Sequence, residues 1–325
     1  MLTVLKPGLL TTVQDLGRFG YQKFGVVVGG ALDRFAARVA NAIVGNDDNA
    51  AVLEMAQLGP ELRFERDTLI AWGGAEFDAR LGGEPLPADR AVAVRAGETI
   101  AFGAARAGVR AWLAVAGGID VPLVLGSRTT YRRGGFGGFE GRPLRAGDRL
   151  RCGDESEWAA RYRSTAPRFS AWSVRPHTLG KPAPAGVVRA LRGPEWEWFG
   201  AEAHREFFAS EWRATKDADR MGVRLAGPAL PQRESREMIS EGVADGVVQV
   251  PAGGAPIVLL ASRQTVGGYP RIAAVATVDI GRVAQLAPGR SIRFQEIAVA
   301  EAHVLYLARE RDLNRVRTGL VRLAG

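Results

Sequence analysis

The sequence predicts a mainly β fold with a few short helices, arranged as two related β-barrel halves. Three observations predict it. The first is glycine: 41 of them recur as punctuation along the chain, which favours short strands and tight turns over long helices. The second is a turn phrase used three times, "RAGETIAF" (95–102), "RAGDRLRC" (145–152) and "APGRSIRF" (287–294). Each places a small residue or proline before glycine, then a polar pair, then apolar residues at alternate positions. That is a tight turn entering a half-buried strand, and barrels need many such turns. The third is internal similarity. "QDLGRFGYQKFG" (14–25) aligns without gaps to "KDADRMGVRLAG" (216–227), setting Asp15, Arg18, Gly20 and Gly25 on Asp217, Arg220, Gly222 and Gly227. "LVLGSRTT" (123–130) aligns to "VLLASRQT" (258–265), setting Ser127, Arg128 and Thr130 on Ser262, Arg263 and Thr265. The two matches keep the same order in both halves.

The elements follow in order. "LDRFAARVANAIVGN" is a helix with Asp33 as N-cap, Phe35, Val39 and Ile43 on one face, and Gly45-Asn46 as its stop. "DDNAAVLEM" reads as a short helix or turn ending at Glu54. "VRAWLAVAGGIDVPLVLG" (109–126) is the most apolar window, but Arg110, Asp120 and Pro122 make it two buried strands joined by a turn, not a membrane span. "PRFSAWSVRPHTLGKPAPAG" (167–186) is proline-rich and without a clear period, so it is the connector. In "PEWEWFGAEAHREFFAS" (194–210), proline opens a helix with Trp198, Phe199, Ala203 and Phe207 as its apolar set. "VDIGRVAQL" (278–286) holds one more short helix, and the tail carries Val304, Leu305, Ala308 and Leu313 on one helical side. The expected organisation is therefore an N-terminal barrel half over 1–166, the connector over 167–186, a C-terminal barrel half over 187–300 and a helical tail over 301–325.

Charge and cysteine content exclude several classes. The net charge of +8 rests almost wholly on arginine, since Lys6, Lys23, Lys181 and Lys216 are the only lysines. These charges are spread out and do not interleave with aromatics, so no nucleic-acid platform is expected. Cys152 stands alone, which rules out a disulfide framework or a zinc quartet. "MLTVLKPGLL" lacks the charged and apolar regions of a signal peptide, and a cytoplasmic protein is expected. His177, His204 and His303 pair with no serine or cysteine motif, and no metal-ligand spacing occurs.

The polar motifs admit two readings each. In the repeated Asp-x-x-Arg-x-Gly, Arg18 can clamp Asp15 while glycine reverses the chain. Alternatively the two loops face a shared cleft and present Arg18 and Arg220 to an anion. "SEGVADGVVQVP" (240–251) and "SRQTVGGYPRIA" (262–273) look like site material: Glu241, Gln249, Gln264 and Tyr269 surround glycines that let backbone approach a small ligand. The competing reading is a hairpin plugged by tyrosine. "YRRGGFGGFEGRP" (131–143) is a glycine-rich loop able to cradle a phosphate or carboxylate through backbone N–H groups. It lacks the lysine and hydroxyl of a P-loop, and the chain contains no G-x-x-x-x-G-K-[ST].

Seven motifs in order, "TTVQDLGRFGYQKFGV", "GALD", "LAVAGGIDVPLVLGSRTTY", "GGFEGRPLRAGD", "DRMGVRL", "SEGVADGVVQVP" and "ASRQTVGGYPRIA", resemble the 5-oxoprolinase C-subunit family, also known as the biotin-dependent carboxyltransferase or allophanate hydrolase subunit 2 family. The resemblance covers roughly residues 3–298 and departs from the family pattern at Phe19, Val27 and Gly29. It implies cyclophilin-like β-barrels and a complex with subunits B and A that opens 5-oxo-L-proline to L-glutamate with ATP as co-substrate. Under that reading Arg18, Arg128 and Arg220 bind anions, Asp15, Glu54 and Glu241 are acid/base groups, and Tyr21, Gln249, Gln264 and Tyr269 orient the amide. Two other readings stay open. One is a carboxyltransferase moving CO₂ from carboxybiotin to an amide such as urea, with biotin borne by another chain. The other is a protein that sequesters an inhibitor of a kinase.

Overall fold

All three turn phrases open into strands. Gly97, Gly147 and Gly289 hold φ of 86°, 89° and 81°, a left-handed backbone that costs glycine nothing. The strands that follow begin at Thr99, Arg149 and Ser291. The structure is a computed structural model describing residues 1–234, 236 and 238–323. The chain divides into two units. The first comprises 1–19, 29–179 and 311–325, and the second 20–28 and 180–310.

The first unit is built on ten strands: β1 (Leu2–Lys6), β2 (Leu10–Gln14), β3 (Val52–Ala56), β4 (Glu61–Phe64), β5 (Thr68–Leu81), β6 (Glu84–Pro85), β7 (Val92–Val94), β8 (Thr99–Val115), β9 (Ile119–Asp120) and β10 (Arg149–Cys152). The main path of the sheet runs β2-β3-β8-β4-β1-β10-β9, and β5 joins it through β8. Val4, Val13, Leu53, Leu62, Ile70, Trp72, Ile100 and Leu113 fill its core. Helix α1 (Arg34–Ile43) starts where the sequence places it, with the Asp33 side chain accepting from Ala36 N–H. Helix α2 (Glu157–Thr165), capped by Ser156, was not foreseen. The segment expected as a helix or turn up to Glu54 is instead a turn that runs into β3, buried along its whole length. Glu54 is the centre of that strand.

The second unit contains β11 (Val187–Arg192), β12 (Trp212–Ala214), β13 (Gly222–Ala226), β14 (Glu241–Gly242), β15 (Val247–Gln249), β16 (Ile257–Leu259), β17 (Val266–Gly267), β18 (Arg271–Val275) and β19 (Ser291–Glu296). Seven of these close a barrel in the order β11-β18-β15-β16-β13-β12-β19, while β14 and β17 pair with each other. Helix α3 (Ala201–Ala209) seats Phe207 on Phe294 of β19, rings stacked 4.6 Å apart, and the Trp212 indole N–H donates to Phe207 O at 2.9 Å. The residues before it, 196–198, form a 3-10 turn, so the helix expected from 194 begins later. Helix α4 (Ile280–Ala284) and α5 (Val299–Leu323) occupy the two remaining helical segments. The protein is mainly β with two barrel-type units, as predicted, although the last helix is long.

In each unit the two repeated segments lie against one another. Arg18 Nε donates to Val124 O at 2.8 Å in the first, and Ser262 N–H donates to Arg220 O at 2.9 Å in the second. The copies differ past the loop: 222–226 is strand β13, whereas 22–24 is a 3-10 turn closed by Gly25 at φ 79°.

Candidate functional site

The loop after β2 is a dense polar junction. Asp15 is buried, and its Oδ1 accepts from Gly17 N–H at 2.9 Å and from the Ser127 hydroxyl at 2.7 Å. Its Oδ2 accepts from Arg128 N–H at 2.5 Å. Arg18 is completely buried and spends its donors elsewhere, on Val124 O at 2.8 Å and Thr129 O at 3.1 Å, with Phe136 stacked 4.9 Å from its guanidinium. The expected Asp15–Arg18 clamp is therefore corrected: each residue staples the loop to 124–129 separately. Burial lowers the Arg18 pKa from its ordinary value, and the nearby Asp15 charge opposes that shift. The Gln14 side chain hydrogen-bonds Thr12 and Thr129, adding a neutral layer to the junction.

Glu54 and Arg128 also belong to this unit. Glu54 Oε2 accepts from Leu32 N–H at 2.9 Å and from the Trp112 indole at 3.0 Å, and Arg110 lies 3.8 Å from its Oε1. A carboxylate held so, 2% exposed, ties α1's approach to the sheet. The Arg128 side chain donates to Val121 O at 3.0 Å and pairs loosely with Asp120 at 3.8 Å.

The second unit gathers the remaining candidates. Gln249, at the end of β15, is buried, and its Nε2 donates to Tyr269 O at 3.2 Å. Its Oε1 accepts from Gln264 Nε2 at 3.3 Å. Tyr269 is 49% exposed, which leaves its phenol available at the surface. Glu241, on β14, pairs with Gly267 of β17 and so stands beside the same loop. Its Oε2 accepts from Arg271 Nη2 at 2.7 Å. Arg220 donates from Nε to the Ser262 hydroxyl at 3.3 Å. Tyr21 caps the 3-10 turn at 22–24, from which Gln22 Nε2 donates to Val243 O at 2.9 Å and Thr265 O at 3.2 Å.

Two groups of this cluster escaped the sequence reading. Glu195 takes Arg271 in a fork, at 2.7 Å from Nε and 2.6 Å from Nη2, plus the Arg271 N–H at 2.9 Å. Arg271 thus bridges a buried carboxylate and the exposed one of Glu241, a chain of charge-assisted bonds that fixes where Glu241 stands. Burial pushes the Glu195 carboxyl up, but its hydrogen bonds from Arg271 outweigh that and hold it below the usual range. Those same bonds, with Glu241 second, raise Arg271 above its ordinary value. The second group is Arg263, which donates to Val243 O at 3.0 Å and pairs with Asp245. Both arginines were visible in quoted motifs, one after Tyr269-Pro270 and one aligned with Arg128; only their partners were hidden. Among the described residues, no group of three or more His, Cys, Asp or Glu side chains is arranged for a metal ion, and no helix is long and apolar enough to cross a membrane.

Residues 24–296 match the family model described as carboxyltransferase domain, subdomain A and B. The chain is 40% identical over 302 residues to the 5-oxoprolinase C-subunit of Escherichia coli (strain K12), covering 93% of each chain. It is 34% identical over 317 residues to the 5-oxoprolinase C-subunit of Haemophilus influenzae (strain ATCC 51907 / DSM 11121 / KW20 / Rd), covering 98% of each. Its fold is similar to the crystal structure of the Kluyveromyces lactis urea carboxylase, with a TM-score of 0.87 and 29% identity over 97% of this chain. The chain spans only 29% of that larger enzyme.

Proposed function

The chain belongs to the carboxyltransferase domain, subdomain A and B, family, and from that premise we propose that it is the C-subunit of an ATP-dependent 5-oxoprolinase. The observation that carries this reading is the one-to-one match with free-standing C-subunit proteins, 93% of both chains in one case and 98% in the other. In this reading the chain works in the cytoplasm with subunits B and A, and the complex opens 5-oxo-L-proline to L-glutamate.

A lactam carbonyl is a poor electrophile, and ATP supplies the activation of its oxygen. What this chain adds is polar recognition. Gln264 still has an amide oxygen and an N–H to offer after its bond to Gln249, which suits the amide of the substrate. Tyr269, whose backbone carbonyl accepts from Gln249, adds an exposed phenol, and Arg220, buried with its Nε on the Ser262 hydroxyl, is our candidate charge for the carboxylate. Glu241 is our acid/base group, because it is reachable from solvent and Arg271 fixes its position. Asp15 and Glu54 have every carboxylate oxygen engaged within the first unit, so we assign them to stability.

The fold likeness to the K. lactis urea carboxylase favours a second reading, transfer of a carboxyl group from carboxybiotin to urea or a related amide. One experiment separates the two. Purified chain, alone and with its subunits B and A, is assayed for glutamate released from 5-oxoproline with and without ATP. Turnover that needs both ATP and the partner subunits is the expected result. Robust turnover by the chain alone refutes the dependence on partners. No turnover in the full complex, together with carboxylation of urea from free carboxybiotin, replaces the proposal by the second reading.

A further inference from the structure

We propose that the glycine-rich loop at 134–141 of the first unit binds the phosphoryl group of a small molecule. The loop walls a cavity of about 480 Å³ whose other side is formed by Val121, Val124, Arg149 and Arg151. That volume lies within the range of small-molecule clefts, roughly 300–1,000 Å³.

The loop carries unused donors. Among the described residues, the N–H groups of Gly137, Gly138, Phe139 and Glu140 donate to no protein acceptor. Gly137 and Gly138 are buried or nearly so, where an unsatisfied N–H is costly and rarely left so. Gly137, Gly138 and Glu140 have φ of 71°, 56° and 55°. Backbones of this kind build the concavities in which successive N–H groups hold an anion.

Arg18 is an independent pointer. It is completely buried, and its Nη1 has no hydrogen-bond partner. Its guanidinium rests against three residues of the cavity wall: it donates to Val124 O, stacks on Phe136, and its Nη2 lies 2.7 Å from where a Cβ on Gly137 would sit. A fixed positive charge with an unspent N–H therefore backs the loop. Two carboxylates also line the cavity, and arginines neutralise both. Glu140 is gripped by Arg142 at 2.9 Å and 2.5 Å, and Asp120 lies 3.8 Å from Arg128 and 3.7 Å from Arg151. Arg149 already holds Glu65 at 2.9 Å and Arg151 stands 3.7 Å from Asp120, so the four backbone donors carry the recognition: a phosphoryl group brings three oxygens to them, where a carboxylate brings two.

The test titrates the full chain with inorganic phosphate, and separately with ADP, against sodium chloride at equal ionic strength. Amide resonances are followed by transverse-relaxation-optimised NMR and affinity by calorimetry. Saturable shifts of the amides of 137–140 are expected, with at least a tenfold loss of affinity in the Arg149→Gln/Arg151→Gln variant. Those side chains are 59% and 80% exposed, so the variant keeps its fold. Tighter binding of ADP than of phosphate identifies a phosphate carried on a larger molecule, and equal binding identifies the free anion. Absence of saturable shifts at 137–140 with both probes overturns the proposal, as does unchanged affinity in the double variant. The chain is measured without partners, so failure here leaves the 5-oxoprolinase reading untouched.

Discussion

Replacing Asp15 separates a structural carboxylate from a catalytic one. Its two oxygens satisfy Gly17 N–H, the Ser127 hydroxyl and Arg128 N–H at 2.9, 2.7 and 2.5 Å, and the side chain is 2% exposed. Asp15→Ala leaves all three donors without their acceptor. A buried donor left so costs about 1–3 kcal/mol. Water entering the space left by the carboxylate brings the three together to the lower end, about 3–5 kcal/mol. For a domain of roughly 150–250 residues each kcal/mol moves Tm by about 2–4 °C, so the first unit should melt about 10 °C lower. Asp15→Asn is gentler. Its remaining oxygen keeps the Gly17 and Ser127 bonds, while its new N–H₂ faces the Arg128 N–H, donor against donor, at a cost of about 1–3 kcal/mol. The assay pairs calorimetric melting of each variant with turnover of the assembled complex. Both variants should lose stability, and below their melting temperatures both should keep turnover within a few fold. The reasoning is refuted if Asp15→Asn melts within about 1 °C of the parent and yet turns over more than about a hundredfold slower.

Three further outcomes are expected. Gly267→Ala places a Cβ 2.5 Å from Gln249 Nε2 in a backbone that tolerates alanine, so the amide must move; turnover should drop about 10- to 100-fold with a small change in Tm, and unchanged turnover would remove Gln249 from the site. Burial raises the Asp89 carboxyl to about 6, against the pull of Arg175 and Arg90, so the folded state holds a proton that the unfolded state releases near pH 4. Stability should therefore decline as pH rises from about 4 to 6 and level off above; Asp89→Asn should flatten that decline in Tm measured against pH, and an unchanged slope would contradict the assignment. Asp279 accepts from Arg189 N–H, Nε and Nη2 at 2.8, 2.7 and 2.7 Å in a buried pair, so Asp279→Ala strands a buried guanidinium and should cost about 3–5 kcal/mol in denaturant unfolding; a loss under about 1 kcal/mol would show the pair to be dispensable.

The sequence by itself determined whatever depends on local geometry. Glycine at a left-handed turn followed by alternating residues specified three strand starts, because no other residue takes that φ without strain. Asp33 before an apolar face specified the start of α1. Seven ordered motifs specified the family, and the repeat specified which segments correspond in the two halves, 14–25 with 216–227 and 123–130 with 258–265. The tertiary structure alone decided which polar group meets which. Asp15 and Arg18 sit three apart, a spacing that invites a clamp, yet apart from the neighbouring Gly17 N–H their partners lie 106 to 113 residues away in the chain. Glu195 meets Arg271 across 76 residues. Such pairs are fixed by strand order and register, which local spacing does not encode. β3 misled for a related reason: buried on both faces, it shows no alternation, so Glu54 passed for the end of a helix or turn when its carboxylate was reserved for Leu32 and Trp112. Once the two sheets were formed, burial decided which charges the fold consumed and which, like Glu241, it left facing solvent.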